Sequence, residues 1–451
     1  MTQGESMNVE NLSVRLRELA VRHRVPGGQL AVHRAGETFA VEFGEEESGQ
    51  GTPVTADAKF PLGSITKAFT AALAVLLVDS GDLDLDEPLT DLLPELRAPG
   101  AAFGAGATLR QLLCHGSGLP PGRDSESLEN ATRRGYLADV ARMAPIKDLG
   151  APSASAFSYS NIGYTLVGLL AERAARMEWR EALESILLEP LGIEPAYIAG
   201  GTARPYVPGH AAQPAQGRAV PVRQTLPDIE APCGALALSA LDLLAFGLLH
   251  TDDAQGVPGL IEPEALEEMR VPVPGAEPFG LADGWGLGLS LYRADDGSYW
   301  TGHDGTADGA SCHLRVDPVS GTAVALTTNA NTGMALWEDL LEVLREDGLD
   351  VASYSYSSFR EPREPIAAPD ACAGRYVHGE IEYVVVRDAA SEAVLEVDGE
   401  PFARLTVHED LAFTMTELSG NGMVYLGRFL TDPATGGLDQ IQVTGRRAQR
   451  V

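Results

Sequence analysis

The feature that most constrains the fold is an apolar segment at residues 64–80, SITKAFTAALAVLLVDS. Its apolar residues surround the segment almost completely instead of forming one stripe. A helix of this kind is buried on all sides, so the chain must build a domain around it. Gly81 follows the segment and is a suitable residue for ending a helix. The sequence therefore predicts a central, buried helix that begins at Ser64.

The composition indicates a globular chain with more than one compact domain. It has 451 residues, of which 44% are hydrophobic and 22% charged, as in folded proteins of more than one domain. The formal net charge of -31 repels polyanions, which argues against nucleic acid or an anionic membrane surface as a partner. We find no signal-peptide pattern and no apolar run of the roughly 18 residues that span a membrane. We therefore expect a cytoplasmic protein without membrane contact.

The first 352 residues have the pattern of a mixed α/β domain. Helical spacing at residues 8–25 is followed by two strands around an Ala-Gly turn at 27–46. Residues 82–250 are mainly helical, with a loop-rich part near 200–232, and predict an inserted helical lobe. Strand patterns return at 285–331, and a helix at about 333–347 closes the domain.

The last hundred residues have a different pattern. Residues 353–371 are polar and proline-bearing, which is typical of a linker. Residues 372–451 alternate apolar and polar positions with the period of antiparallel strands. We predict a small all-β barrel there.

One lysine suggests the chemistry. The chain has 33 basic residues but only three lysines, and Lys67 lies three positions after Ser64. A serine hydroxyl must lose its proton to a base as it attacks, and residues three apart share a helix face. Arginine cannot act as this base, whereas a buried lysine can be shifted toward its neutral form. The free N–H groups at the helix start also favour negative charge near Ser64. We predict a serine nucleophile with a lysine base.

Two other motifs are weaker by themselves. In FSYSNIGYTLVG, residues 157–168, Tyr159 can act in a proton relay and Asn161 can bind a substrate amide. In TGHDGTADG, residues 301–309, His303 can donate to a substrate carboxylate or join the relay. The glycines there allow a substrate backbone to lie along the strand edge. Each motif alone is more typical of an ordinary structural role.

The order and spacing of the three motifs resemble those of the serine penicillin-recognising enzymes. Over about residues 8–350 the chain is most similar to their class C-like branch, which includes esterases and D-peptidases. The stretches TLRQLLCHGSGLP and CGALALSALDLLAF look like structural segments of that branch. The resemblance implies a β-lactamase/transpeptidase-like fold, in which an antiparallel sheet is flanked by helices and carries an inserted helical lobe.

The resemblance also implies a role for each matching residue. The roles are acylated nucleophile for Ser64, general base for Lys67, second relay member for Tyr159, substrate binding for Asn161 and Gly305, and an oxyanion hole from the backbone N–H groups of Ser64 and Thr306. His303 takes a catalytic position where the family has lysine. This departure removes a permanent positive charge that would bind a substrate carboxylate, so it favours an acyl group without one, such as a thioester.

Within the superfamily, the chain is most like the penicillin-binding-protein-type thioesterases. Those enzymes release a nonribosomal peptide from its carrier protein and cyclise it head to tail. The implied substrate is a peptidyl thioester with a D residue at the acylated end, and a peptidyl carrier protein is a candidate partner. The C-terminal barrel resembles a lipocalin fold and is a candidate wall of the site, although a purely stabilising module is the equal alternative.

Two alternatives stay open. A D-amino-acid peptidase or class C-like carboxylesterase would transfer the same acyl group to water, and a non-catalytic ligand binder would retain only the fold. The histidines lack metal-ligand spacing and no nucleotide loop follows a strand, so we expect no cofactor or metal. The cysteines lack zinc-site or disulfide spacing and are expected to be free thiols. The sequence leaves the peptide, the ring size and the oligomeric state open.

Overall fold

We describe a computed structural model of the chain, over the following residues: 9–97, 99–104, 106–129, 131–147, 157–199, 204–213, 217–252, 257, 259–354, 364–387, 392–418 and 424–451. The helices are α1 (Val9–His23), α2 (Thr66–Asp79), α3 (Leu89–Leu92), α4 (Leu109–Leu113), α5 (Ser125–Leu128), α6 (Arg133–Arg142), α7 (Asn161–Ala175), α8 (Trp179–Leu183), α9 (Ala231–Gly234), α10 (Ala240–Leu249), α11 (Pro263–Arg270) and α12 (Gly333–Glu346).

The strands before residue 330 are β1 (Gly27–Arg34), β2 (Glu37–Gly44), β3 (Phe60–Pro61), β4 (Ala196–Tyr197), β5 (Gly209–Gln213), β6 (Arg218–Val222), β7 (Leu236–Leu238), β8 (Gly284–Trp285), β9 (Ser290–Arg293), β10 (Tyr299–Ala307), β11 (Ala310–Asp317) and β12 (Thr322–Thr328). Those after it are β13 (Pro365–Ile366), β14 (Gly374–His378), β15 (Ile381–Arg387), β16 (Ala393–Val397), β17 (Glu400–His408), β18 (Ala412–Glu417), β19 (Val424–Thr431), β20 (Leu438–Val443) and β21 (Arg446–Arg450).

The chain folds into two compact units that do not follow chain order. Unit one comprises Met1–Leu73, Arg180–Leu266 and Arg293–Ser353. Unit two comprises Ala74–Trp179, Glu267–Tyr292 and Tyr354–Val451. The division into residues 1–352, 353–371 and 372–451 stays a prediction about domains.

Unit one contains an antiparallel sheet with strand order β2-β1-β12-β11-β10. The β1–β2 hairpin turns through Ala35 and Gly36, both at positive φ, which matches the twist of the strands. Every residue of β12 is buried, as expected of a strand covered on both faces. Helix α10 packs on β1 and β12, and α12 packs on β11.

The central helix forms where the sequence predicts it, and every residue from Ile65 to Leu77 is buried. The serine lies in a 3₁₀ turn, Gly63–Ile65, that leads directly into α2. The predicted loop-rich part near 200–232 is more ordered than expected, because it contains the hairpin β5–β6 and helix α9.

Unit two contains helices α3–α7 and the C-terminal barrel. Strands β14–β21 each pair with their chain neighbours, and the β14–β21 and β17–β18 pairings close the ring. This is the up-and-down closure that lipocalins share. Its interior is a packed core that includes Tyr376, Leu395, Phe413 and Ile441. The predicted fold class, an α/β domain of the β-lactamase type with an all-β barrel, is confirmed.

Part of the predicted linker lies in the described residues. Residues 355–363 lie outside the described residues, but β13 at Pro365–Ile366 pairs with β17 of the barrel. The polar, proline-bearing composition gave no indication of this short strand. An edge strand tolerates proline, so the pairing is compatible with that composition. In the part of the chain that the structure describes, no helix is long and apolar enough to span a membrane.

Candidate active site

Ser64 lies in a tight turn that requires glycine beside it. Gly63 has φ +52, and a Cβ there would lie 2.1 Å from the backbone oxygen of Thr306. The turn and strand β10 therefore touch through their backbones. Gly305 makes the same approach from the strand, because a Cβ on it would lie 1.9 Å from the oxygen of Leu62.

The amine of Lys67 is held against the serine hydroxyl. Its Nζ lies 3.1 Å from Ser64 Oγ and donates at 2.8 Å to the carbonyl oxygen of Cys233. The lysine is 1% exposed, so these short contacts are shielded from water. The geometry allows a proton to pass directly between hydroxyl and amine. Burial raises the pKa of the Cys233 thiol to about 12, so this residue contributes its carbonyl and not a thiolate.

The predicted oxyanion hole has support from this packing. The turn that carries Ser64 N–H lies against the backbone of Thr306, and the Thr306 side chain is exposed. Two N–H groups from separate segments in contact are the arrangement that stabilises a tetrahedral oxyanion. Their role stays a prediction.

His303 is neutral and its tautomer is determined. Its Nδ1 lies 2.6 Å from the carbonyl oxygen of Asp304, and because a carbonyl only accepts, Nδ1 carries the proton. Burial, and secondly the charge of Lys67, lower the pKa of His303 to about 4. At neutral pH, Nε2 is therefore an acceptor. The structure does not support the suggested donation to a substrate carboxylate, which would need a proton on Nε2.

The next residue of the strand, the partly exposed Asp304, forms a separate charge cluster with two buried residues. Asp304 accepts from His313 Nδ1 at 2.7 Å and from Arg315 at 2.7 and 3.0 Å. Burial acts to raise the pKa of Asp304, but Arg315 and His313 hold it well below its ordinary value. The His313 ring stacks on Trp337 at 4.8 Å. Because successive strand residues face opposite sides, this cluster anchors β10 from behind the site.

Tyr159 belongs to unit two, where it is 4% exposed. Its backbone N–H donates to the carbonyl oxygen of Gly445 at 3.0 Å. Its ring centroid lies 4.2 Å from that of His115 and 5.8 Å from that of Trp285. The guanidinium carbon of Arg446 lies 5.0 Å from the same ring. The phenol is thus held by residues from three separate parts of the chain.

The two residues after the tyrosine begin helix α7. Ser160 N–H donates to His115 Nδ1 at 3.1 Å, and its Oγ donates to the carbonyl oxygen of Pro120 at 2.6 Å. Asn161 N–H donates to the oxygen of Pro121 at 2.7 Å. The segment before α7 is therefore tied to the CHGSGLP stretch, and the half-buried Asn161 side chain stays available for a substrate amide.

The structure places the predicted residues in two groups. Ser64, Lys67, His303 and Thr306 belong to unit one, whereas Tyr159 and Asn161 belong to unit two. The sequence analysis missed the carbonyl of Cys233, the ring of His115 and the guanidinium of Arg446. Cys233 and His115 lie in stretches that the sequence already identified as structural segments of the family, so their position in these segments was the one available signal that they could lie near the site. For Arg446 no sequence signal existed.

Comparisons with known proteins show which family the chain belongs to. The Beta-lactamase family matches residues 12–348. The chain belongs to this family. It is 31% identical over 339 residues to Penicillin-binding protein 4 of Amycolatopsis lactamdurans, covering 72% of this chain and 86% of that protein. The predicted membership of the serine β-lactamase and penicillin-binding-protein superfamily is confirmed, and its members are serine hydrolases and acyltransferases.

Two further relatives are informative. The structure of SurE superimposes with a TM-score of 0.83 and 38% identity, covering 98% of both chains. A second structure of SurE contains D-Leu and matches with a TM-score of 0.80 and 37% identity over 98% of this chain and 99% of that one. The unguisins hydrolase of Aspergillus violaceofuscus is 28% identical over 182 residues, 39% of this chain and 32% of that protein. The likeness to SurE includes the barrel as well as the family domain.

Proposed function

We propose that the chain is a serine acyltransferase that releases a nonribosomal peptide from its carrier-protein thioester and cyclises it head to tail. Ser64 attacks the thioester carbonyl as its proton passes to Lys67, the C–S bond breaks, and Lys67 returns the proton to the departing pantetheine thiolate. The amino end of the peptide then attacks the acyl-enzyme, the ester C–O bond breaks, and a proton of the amine passes through Lys67 to the serine oxygen. Each step exchanges one acyl bond for another, so no cofactor is consumed.

The contact between Ser64 and Lys67 carries the acyl-enzyme part of this proposal. A hydroxyl 3.1 Å from a buried amine is the arrangement that covalent serine catalysis needs. The amine is also oriented by the carbonyl of Cys233, so the hydroxyl is not its sole partner. A ligand binder without catalysis would have no need of this pair.

The neutral state of His303 supports a thioester substrate. With a pKa of about 4, this residue offers no positive charge at neutral pH to a substrate carboxylate. A thioester-linked peptide has no carboxylate at the acylated end, so its binding does not need a positive charge at His303. A β-lactam, in contrast, carries a carboxylate that would lack its counter-charge.

The likeness to SurE supports the choice of acyl group. It extends over 98% of both chains, which includes the C-terminal barrel. A D-Leu accompanies SurE in one structure, and we propose a D residue, such as D-Leu, at the acylated end of the substrate of this chain. The relative that is named a hydrolase favours water as the competing second nucleophile.

Incubation with a peptidyl pantetheine thioester that ends in D-Leu tests the proposal. We expect mass spectrometry to show a product lighter than the linear acid by one water, and no product from Ser64→Ala. The thioester that ends in L-Leu is the matched substrate control and should react much more slowly. Linear acid as the sole product would replace the cyclase by a hydrolase. An enzyme whose Ser64 fails to react with a fluorophosphonate would instead be a binder.

A further inference from the structure

The barrel reaches the tyrosine segment through one hairpin turn. This turn, between β20 and β21, comprises Thr444 and Gly445, and all the residues concerned belong to unit two. The carbonyl oxygen of Gly445 accepts from Tyr159 N–H at 3.0 Å. The N–H of Arg447 donates to Ser158 Oγ at 3.2 Å, although 289 positions separate these residues in the sequence. The barrel turn and the Tyr159 segment are therefore hydrogen-bonded to each other on two consecutive residues.

The turn itself is tightly held. Gly445 has φ +75, and a Cβ on it would lie 2.3 Å from Leu281 and 3.3 Å from Phe157. Its N–H donates to the carbonyl oxygen of Phe279 at 2.9 Å. Only glycine fits this position, because the backbone conformation and the close neighbours both exclude a side chain.

The first residue of β21 brings a positive charge to the phenol ring. The guanidinium carbon of Arg446 lies 5.0 Å from the ring centroid of Tyr159. Its Nη1 donates to the carbonyl oxygen and the hydroxyl of Thr444, both at 3.2 Å. The guanidinium is thus anchored to the turn that binds the tyrosine backbone. A cation held over an aromatic face attracts the ring electrostatically and restricts its orientation.

We propose that Arg446 is a positioning residue for the Tyr159 phenol, so that the barrel is part of the acylation machinery. This inference depends on the proposed acyl-enzyme and on the relay role of Tyr159, but not on whether amine or water is the second nucleophile.

The same strand supplies a matched control. The guanidinium carbon of Arg450 lies 5.8 Å from the ring centroid of Tyr376, which is a core residue of the barrel. Both arginines belong to β21 and both contact a tyrosine ring, but only Arg446 contacts Tyr159. Substitution by methionine keeps most of the side-chain length and removes the charge in each case.

The experiment measures single-turnover acylation of Ser64 by the D-Leu thioester, followed by intact mass. We expect Arg446→Met to lower the acylation rate constant about 10-fold with little change in the substrate concentration for half-maximal rate. Arg450→Met should acylate at the wild-type rate, and Arg446→Lys should recover part of the loss. A wild-type rate for Arg446→Met, or an equal loss for both methionine variants, would overturn the inference.

A double-mutant cycle identifies the residue through which Arg446 acts. In a Tyr159→Phe background, Arg446→Met should cause almost no further loss, because the phenol that it positions is absent. A full 10-fold loss in that background would show that Arg446 acts elsewhere. Absence of any acyl-enzyme in the wild type would contradict the proposed function itself, whereas wild-type acylation with an unaffected Arg446→Met contradicts this inference alone.

Discussion

The serine group in unit one and the tyrosine group in unit two are built in different ways. Ser64 and Lys67 are three residues apart and meet because they share one helical turn. Tyr159 is held by a turn at the far end of the chain, through Gly445 and Arg446. The first group depends on local spacing, and the second depends on how a separate barrel packs. The difference teaches that a short motif can point to a candidate nucleophile without revealing what orients a candidate relay residue elsewhere in the chain.

The same contacts bear on the role of the C-terminal barrel. A packed interior that includes Tyr376 and Phe413 leaves the barrel core occupied by its own side chains. The contact that we propose to matter for acylation therefore lies outside this core, at the turn of Thr444 and Gly445. A module that only excluded water would not need specific hydrogen bonds. Here the carbonyl of Gly445 accepts from Tyr159 N–H, and the N–H of Arg447 in β21 donates to Ser158.

The largest expected effect is at Lys67, in the serine group. Lys67→Arg should lower the acylation rate at least about 1,000-fold with the fold retained, because a guanidinium cannot accept the serine proton. Intact mass after incubation with the thioester measures the acyl-enzyme. Lys147→Arg makes the same exchange at an exposed lysine that pairs with Asp432 and should leave the rate unchanged. Near-normal acylation by Lys67→Arg would remove lysine from the base role.

The second-largest expected effect is at Gly305, whose backbone contact supports the predicted oxyanion hole. Gly305→Ala should lower acylation by about 100-fold or more, because its Cβ would lie 1.9 Å from the oxygen of Leu62 and must displace β10. Gly284→Ala is the control, since a Cβ there meets Leu291 at an ordinary 3.6 Å. The rate constant and the melting temperature of both variants separate misplacement from unfolding. An active Gly305→Ala would exclude the Thr306 N–H from the oxyanion hole.

Much of the fold was predictable because its determinants are local. The all-round apolar segment predicts α2, the Ala-Gly turn predicts the β1–β2 hairpin, and period-two alternation predicts the barrel. The same holds for the contact of Ser64 with Lys67, which follows from a spacing of three. No comparable rule links position 159 to position 446. The sequence pattern around Tyr159 carries no information about a contact residue that comes from a separate barrel.

The third effect tests the tyrosine group with two glycines in barrel turns. Gly445 has φ +75 and contacts Leu281, whereas Gly399 has φ +85 with nothing within 4 Å of a Cβ. Alanine at either position should cost about 1–2 kcal/mol of folding free energy from the backbone conformation. Only Gly445→Ala should also lower acylation, by about 10-fold, because it shifts the turn that holds Tyr159. Equal rates for the two alanine variants would make the turn a passive contact.

The last effect concerns the pH dependence of stability at His303 and not the acylation rate. Because the pKa of His303 is lowered to about 4 in the folded protein and is near 6.5 when unfolded, the unfolded state binds the proton first as the pH falls. The free energy of unfolding should therefore decrease between about pH 6.5 and pH 4, by up to about 3 kcal/mol from this group. His303→Gln lacks the titration, so the difference in unfolding free energy between wild type and variant should change across that interval.

Urea unfolding at several pH values measures this difference, and the interval from pH 7 to pH 8 is its internal control. His303 is neutral in both states there, so the difference should stay constant. A difference that instead changes above pH 7 would mean that His303 is charged in the folded protein at neutral pH. In that case the residue would offer a counter-charge to a substrate carboxylate after all, and the argument that favours a thioester over a carboxylate-bearing substrate would lose its basis.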